Sequence, residues 1–226
     1  MHELTNQPVD FDRVDTLLLD MDGTLLDLNF DSYFWLQAVP NAYAESVGEP
    51  LSEVIGGLRE VFEANRGTLN WYAIDFWANE LKLDVMALQR THSARIGYLA
   101  GAPAFLAAAR SAGKRCMLVT NADRQTFGLK DECTGLSAHL DEVVSSHDFH
   151  LPKEHPDFWP SFFGKYRVDA TRSAFFDDTQ SVLDTAKAYG IGYVVGIARP
   201  DSQGVARELD GHLRVDGVRD LVRRRP

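Results

Sequence analysis

The chain has 226 residues, 45% of them hydrophobic and 11% aromatic, which is ample for a packed core and too apolar for a disordered segment. Its formal net charge of -10 opposes phosphate-rich polymers and anionic lipid surfaces, so general nucleic-acid and membrane binding are set aside. No apolar run approaches the roughly 18 residues of a spanning helix, and the opening MHELTNQPVDFDR has neither the basic nor the apolar region of a secretory leader. A soluble, cytoplasmic protein is expected.

In chain order, the first element is a buried parallel strand, LLL (17–19), that stops at Asp20, Met21, Asp22 and Gly23. Alternation along an ideal strand would point Asp20 and Asp22 the same way, and two like charges that close need a cation or a shared proton. A divalent metal is the simplest relief. Taken alone, the pair also fits an acidic turn that closes a strand.

Residues 30–99 contain no convincing strand, and their apolar spacing is helical: Ile55, Leu58, Val61 and Phe62 behind a Ser52 cap, Ile74, Trp77, Ala78 and Leu81 behind Asn70, and Val85, Leu88 and Ile96 behind Asp84. This reads as a helical insertion standing over the carboxyl end of the sheet, where a lid would enclose a ligand. The segments 27–35 and 68–77 place aromatic faces beside amide and carboxylate groups. Such a mixture suits a purine base, although most aromatic stripes are core, and Phe34, Phe62 and Trp77 are expected to pack.

From about residue 100 the pattern is βαβ, hence a parallel sheet. Strands are predicted at 116–120, 142–146, 173–177 and 192–197. Helices are predicted from Pro103 to Gly113, from Asp157 to Tyr166 and from Ser181 to Gly190. Cys116 and Cys133 read as ordinary buried thiols, and Arg223, Arg224 and Arg225 as a solvated helix end.

Three strand ends or following loops add polar groups to the rim that carries Asp20. Thr120 and Asn121 offer a hydroxyl, an amide and turn N–H groups suited to phosphate oxygens, or equally to a helix cap. Lys153 offers an ammonium that would neutralise a nucleophilic carboxylate and a phosphoryl group, or simply a solvated charge. Asp177 and Asp178 are adjacent acids at a buried strand end, suited to a metal or to capping. Hard oxygens without a Cys or His cluster favour Mg²⁺ over zinc.

In their order and spacing, LLLDMDGTLLD, the Thr120-Asn121 pair, Lys153 and the Asp177-Asp178 pair resemble the haloacid dehalogenase-like hydrolases over almost the whole chain. The resemblance implies a Rossmann-like α/β core with a parallel sheet, residues 1–29 and 100–226, and a helical C1-type cap, residues 30–99. It implies that Asp20 is the nucleophile that becomes an aspartyl-phosphate and a metal ligand. Asp22 would be the general acid and then base, with its backbone carbonyl on the metal. Thr120, Asn121 and Lys153 would serve the phosphoryl group, and Asp178 and Asp177 the Mg²⁺. Val182 stands where many members carry a further acid, and Asp184 beyond it is left a capping or supporting role. An alkoxide leaving group needs a proton whereas a halide does not, so Asp22 favours phosphoryl transfer over dehalogenation.

Further stretches, including LNWYAIDFW, HLPKEHPDFW, FFDDTQSVLDTA and ARPDSQG, resemble the GMP/IMP nucleotidase group of that superfamily. This implies a small phosphorylated substrate, a purine nucleoside 5′-monophosphate, with Asn29, Tyr33, Asn70, Trp71, Tyr72 and Asp75 as base or ribose contacts. The competing expectations are a phosphatase of sugar phosphates or phosphoglycolate, and a non-catalytic binding or regulatory protein on the same fold.

Overall fold

A computed structural model describes residues 2–4 and 9–224. Strand β1 (His2–Leu4) pairs antiparallel with the last strand, β8 (Val222–Arg224). Between them lies one six-stranded sheet: β2 (Thr16–Leu19), β3 (Arg115–Thr120), β4 (Glu142–Ser145), β5 (Ser173–Asp177), β6 (Tyr193–Ile197) and β7 (Leu213–Val215). Its spatial order is β4-β3-β2-β5-β6-β7, and every pairing is parallel. The chain builds outward from β2 through β3 to β4 on one side, then returns to start β5 on the other. The order therefore reverses between β2 and β5, and an open α/β sheet has its ligand crevice outside the carboxyl ends at such a reversal.

Strand periodicity sorts the side chains into two cores. Leu17, Leu19, Leu118 and Phe176 face helix α6 (Ala102–Ser111) through Phe105 and Leu106. Leu18, Met117, Val119 and Phe175 face helices α8 (Phe158–Lys165) and α9 (Gln180–Tyr189) through Trp159, Phe162 and Leu183. Both faces are covered, which is why these strands read as unbroken apolar runs rather than alternating ones.

Between β2 and β3 the described residues are helical: α1 (Asn29–Tyr33), a π-helical turn (Phe34–Ala38), α2 (Val39–Val47), α3 (Leu51–Asn65), α4 (Ile74–Leu81) and α5 (Val85–Thr91). They enclose a third core of Phe30, Phe34, Val54, Leu58, Ile74, Trp77, Leu81 and Val85. The outgoing and returning chains run side by side, with Leu26 bridged antiparallel to Tyr98, the Asp27 amide donating to Gly97 O at 2.9 Å and the Leu99 amide to Leu25 O at 2.9 Å. Helix α7 (Arg124–Thr134) follows β3 on the sheet side of this junction.

Several local expectations are corrected. Helix α3 starts at Leu51 behind Pro50, whose fixed φ of -60° suits a helix entry, so Ser52 lies inside the helix. Asn70 sits in a 3₁₀ turn, Leu69–Tyr72, and α4 begins only at Ile74. Its first turn is capped by a distant residue: Ile74 N donates to Asp123 Oδ2 at 2.6 Å. Cys133 is exposed because it lies on the outer side of α7, whereas Cys116 is buried. Arg223 and Arg224 belong to β8 rather than to a helix end, and Arg225 lies outside the described residues.

Candidate active site

Every chemistry-bearing group in the sheet sits at or just past a carboxyl end. Asp20 follows β2, Thr120 ends β3 and Asp177 ends β5, and the in-register pairing of β2 with both neighbours sets these ends side by side. One oxygen each from Asp20, Asp177 and Asp178 lies within 4.8 Å of the others, and all three residues are buried.

Three carboxylates in that space are tolerable only with positive charge among them. Lys153 supplies it from the loop after β4: its Nζ donates to Asp20 Oδ1 at 2.5 Å, to Asp177 Oδ2 at 2.7 Å and to Val119 O at 3.1 Å. All three ammonium donors are used. Burial works against the Lys153 charge, but Asp177 and Asp20 outweigh it and hold its pKa above the ordinary lysine value. Asp178 is paired with Arg207. One ammonium and one guanidinium do not relieve the crowding. Burial, reinforced by Asp177 and Asp178, pushes Asp20 well up despite Lys153, and burial with Asp177 pushes Asp178 up to about 7. Hard oxygens, close spacing and surplus negative charge fit a Mg²⁺-like divalent cation, which would favour the ionised carboxylates.

The glycine in the acidic loop is required by close approach. Gly23 has φ +88°, and a Cβ there would lie 2.7 Å from Asp178 Oδ2 and 2.8 Å from Pro200 Cβ. The β2 and β5 ends thus interlock through a missing side chain.

At the end of β3, Thr120 Oγ1 accepts from Ala122 N at 3.0 Å, tightening the turn after the strand. Asn121 Oδ1 accepts from Lys153 N at 2.9 Å and its Nδ2 donates to Glu154 Oε2 at 2.9 Å, so Asn121 fixes the lysine loop as well as its own. Asp22 diverges from Asp20: Lys130 of α7 donates to its Oδ1 at 2.6 Å, and to both oxygens of Asp31 of α1 at 2.8 Å. The expectation that the Asp20 and Asp22 side chains share one cation is therefore corrected. The strand stops at Leu19, alternation lapses, and each acid has its own lysine.

A cavity of about 650 Å³ opens over this floor, lined from the sheet side by Asp20, Asp22, Thr120, Asn121 and Asp178 and from the helices by Trp35, Phe62, Trp71, Tyr72 and Gln89.

A sequence profile described as haloacid dehalogenase-like hydrolase matches residues 14–190. The chain belongs to the haloacid dehalogenase-like hydrolase family. Among its relatives, the proteins named GMP/IMP nucleotidase YrfG of Escherichia coli (strain K12) and of Shigella flexneri are each 38% identical over 209 residues, covering 92% of this chain and 94% of theirs. Among solved structures, a HAD phosphatase from Thermococcus onnurineus superposes with TM-score 0.76 at 20% identity, and the L-2-haloacid dehalogenase from Xanthobacter autotrophicus with TM-score 0.63 at 18%; each match covers 92% of this chain and 96% of the other. At those identities the structures speak to the fold alone, and the fold is the Rossmann-like one of this hydrolase family.

Within that family fold the insertion places the six expected base contacts unevenly. Trp71 and Tyr72 line the cavity, and the Tyr72 hydroxyl donates to Glu154 Oε1 at 2.9 Å. The other four lie outside the cavity wall. Asn29 Nδ2 donates to Asp201 at 3.3 Å, Tyr33 packs edge-on to His92 under the Arg95 guanidinium, Asn70 is exposed, and Asp75 accepts from Gln125 at 2.9 Å. Helical geometry turns these four toward other neighbours, which spacing in a chain does not reveal. Asp184 accepts from Gln180 Nε2 at 2.9 Å and contacts His212 at 2.8 Å, and Val182 is core.

Five site groups were not named as site residues from the sequence: Lys130, Asp31, Glu154, Arg207 and Gln89. Glu154, adjacent to Lys153, and Asp31, within the segment 27–35, had a nearby cue. Gln89 is 1% exposed, and among the described residues its carbonyl oxygen has no hydrogen-bond partner.

Proposed function

We propose that this hydrolase is a Mg²⁺-dependent phosphatase that converts purine nucleoside 5′-monophosphates, GMP or IMP, to nucleoside and phosphate through an aspartyl-phosphate on Asp20. The observation that carries the reading is the cluster of Asp20, Asp177 and Asp178, the first two joined by Lys153, beneath one cavity, in a chain 38% identical to proteins named GMP/IMP nucleotidases.

Asp20 Oδ attacks phosphorus, and Asp22 gives a proton to the departing ribose 5′-oxygen, then takes one from the water that cleaves the acyl phosphate. Lys153 favours the ionised form of Asp20 and orients it, while Thr120 and the amides of its turn receive phosphoryl oxygens. Asp20, Asp177, Asp178 and the Asp22 carbonyl would hold the Mg²⁺. When bound, that ion supplies positive charge against the phosphoryl oxygens, the main need of a reaction governed by positioning and charge stabilisation.

Residues 30–99 act as a cap, whose aromatic wall of Trp35, Phe62 and Trp71 gives a planar base a surface to stack on. The cavity volume, about 650 Å³, suits a mononucleotide. Phosphate release from a panel of nucleotides and sugar phosphates, with and without Mg²⁺, tests the reading: IMP and GMP should lead by kcat/KM and depend on the metal. Sugar phosphates or phosphoglycolate far ahead of both would reject the specificity. Asp20→Asn should abolish release in a protein that remains folded by circular dichroism, and unchanged release would remove Asp20 as nucleophile.

A further inference from the structure

Lys130 lies mid-helix in α7 with 1% of its surface exposed. Its ammonium joins three separate parts of the molecule. It donates to Asp22 Oδ1 in the loop after β2 at 2.6 Å and to Asp31 Oδ1 and Oδ2 on the first insertion helix at 2.8 Å each, while the helix that carries it belongs to the sheet side. The ring of Phe30 closes the site at 5.4 Å. All three donors are spent on carboxylate oxygens, two of them from the insertion.

A buried pair of this kind is by itself weak evidence for stability, since apolar residues of similar volume often serve as well. Here both partners, Asp22 and Asp31, line the cavity that holds Asp20. Among the described residues the second oxygen of Asp22 carries no hydrogen bond, so the lysine clamps one oxygen and leaves the other for chemistry.

We propose that Lys130 and Asp31 are positioning residues that hold the Asp22 carboxylate in its working orientation, so that seating the insertion on the sheet and aligning the acid/base are a single event. This rests on the phosphatase reading above. Without Asp31 in place, Lys130 keeps Asp22 but loses two of its three acceptors, and with them the contacts that fix its own position.

The test is a leaving-group comparison on kcat/KM, which covers steps only through the first phosphoryl transfer. Departure of a nucleoside alkoxide needs the Asp22 proton, whereas p-nitrophenolate departs with little help. Lys130→Met should lower kcat/KM for IMP about 10- to 100-fold, and lower the ratio of IMP to p-nitrophenyl phosphate at least tenfold. Combined with Asp22→Asn it should add almost nothing to the loss from Asp22→Asn alone, because both act through one group. Equal falls for the two esters, or a full multiplicative loss in the double variant, would overturn the proposal. Should Lys130→Met not fold, Asp31→Ala keeps the Lys130–Asp22 pair and should still lower the ratio at least threefold; an unchanged ratio there overturns the proposal equally. Failure of the phosphatase reading would show in the wild-type protein as no hydrolysis of either ester, whereas failure of this inference shows only in the variants.

Discussion

Gln89 combines a buried position on the cavity wall with an unpaired polar atom. Its buried carbonyl oxygen has no partner among the described residues, and an unsatisfied buried polar atom costs about 1–3 kcal/mol. Gln89→Met, close in shape and free of that penalty, should keep or raise the melting temperature while raising KM for IMP several-fold. A lower melting temperature with unchanged KM would assign Gln89 to packing alone. The six expected base contacts give the converse lesson. Trp71 and Tyr72 reach the cavity, but Asn29, Tyr33, Asn70 and Asp75 turn elsewhere, since polar residue type marks a candidate and helix rotation decides which way it faces.

Asp123 acts at the scale of elements. Its Oδ1 caps α7 by accepting from Thr126 N at 2.8 Å, and its Oδ2 caps α4 by accepting from Ile74 N at 2.6 Å. One carboxylate therefore satisfies the first turns of a sheet-side helix and an insertion helix. Loss of an N-cap costs about 1 kcal/mol, so Asp123→Ala should destabilise by about 1–2 kcal/mol in urea denaturation. The same variant should speed hydrogen exchange at the Ile74 amide more than at amides inside α3. Exchange at Ile74 matching wild type would show that the second cap adds nothing. The missed Asn70 start has the same cause: α4 has no local cap to read, because the acceptor is 49 residues away. Helices with local caps or stops, such as α5 behind Asp84 and α9 before Gly190, were legible because the partner lies within a few residues.

Charge balance in the floor governs the molecule as a whole. In the metal-free protein Asp178 is raised from 3.8 to about 7 by burial and by Asp177, so the folded state holds more protons than the unfolded chain between those values. Stability contributed by this group therefore falls as pH climbs through that window. A bound divalent cation favours the ionised carboxylates and reverses the trend. The rise in melting temperature on adding saturating Mg²⁺ should be small at pH 5.5 and larger at pH 8, as followed by thermal denaturation with and without EDTA. A gain that shrinks over that range would remove the acidic cluster as the binding site.

The sequence by itself determined five of the six strands of the sheet, β2 to β6, and the acids and lysine gathered at their carboxyl ends, but not β7. Those features are local: apolar runs make buried strands, and acids end the β2 and β5 runs and a Thr-Asn pair the β3 run. Tertiary structure alone decided which cation answers which carboxylate. Lys130 reaches Asp22 across 108 residues, Arg207 reaches Asp178 across 29, and Asp31 enters only because α1 folds back over the loop. Burial makes such pairings necessary, because like charges cannot be left unpaired out of water, but no spacing in the chain says which partner will arrive.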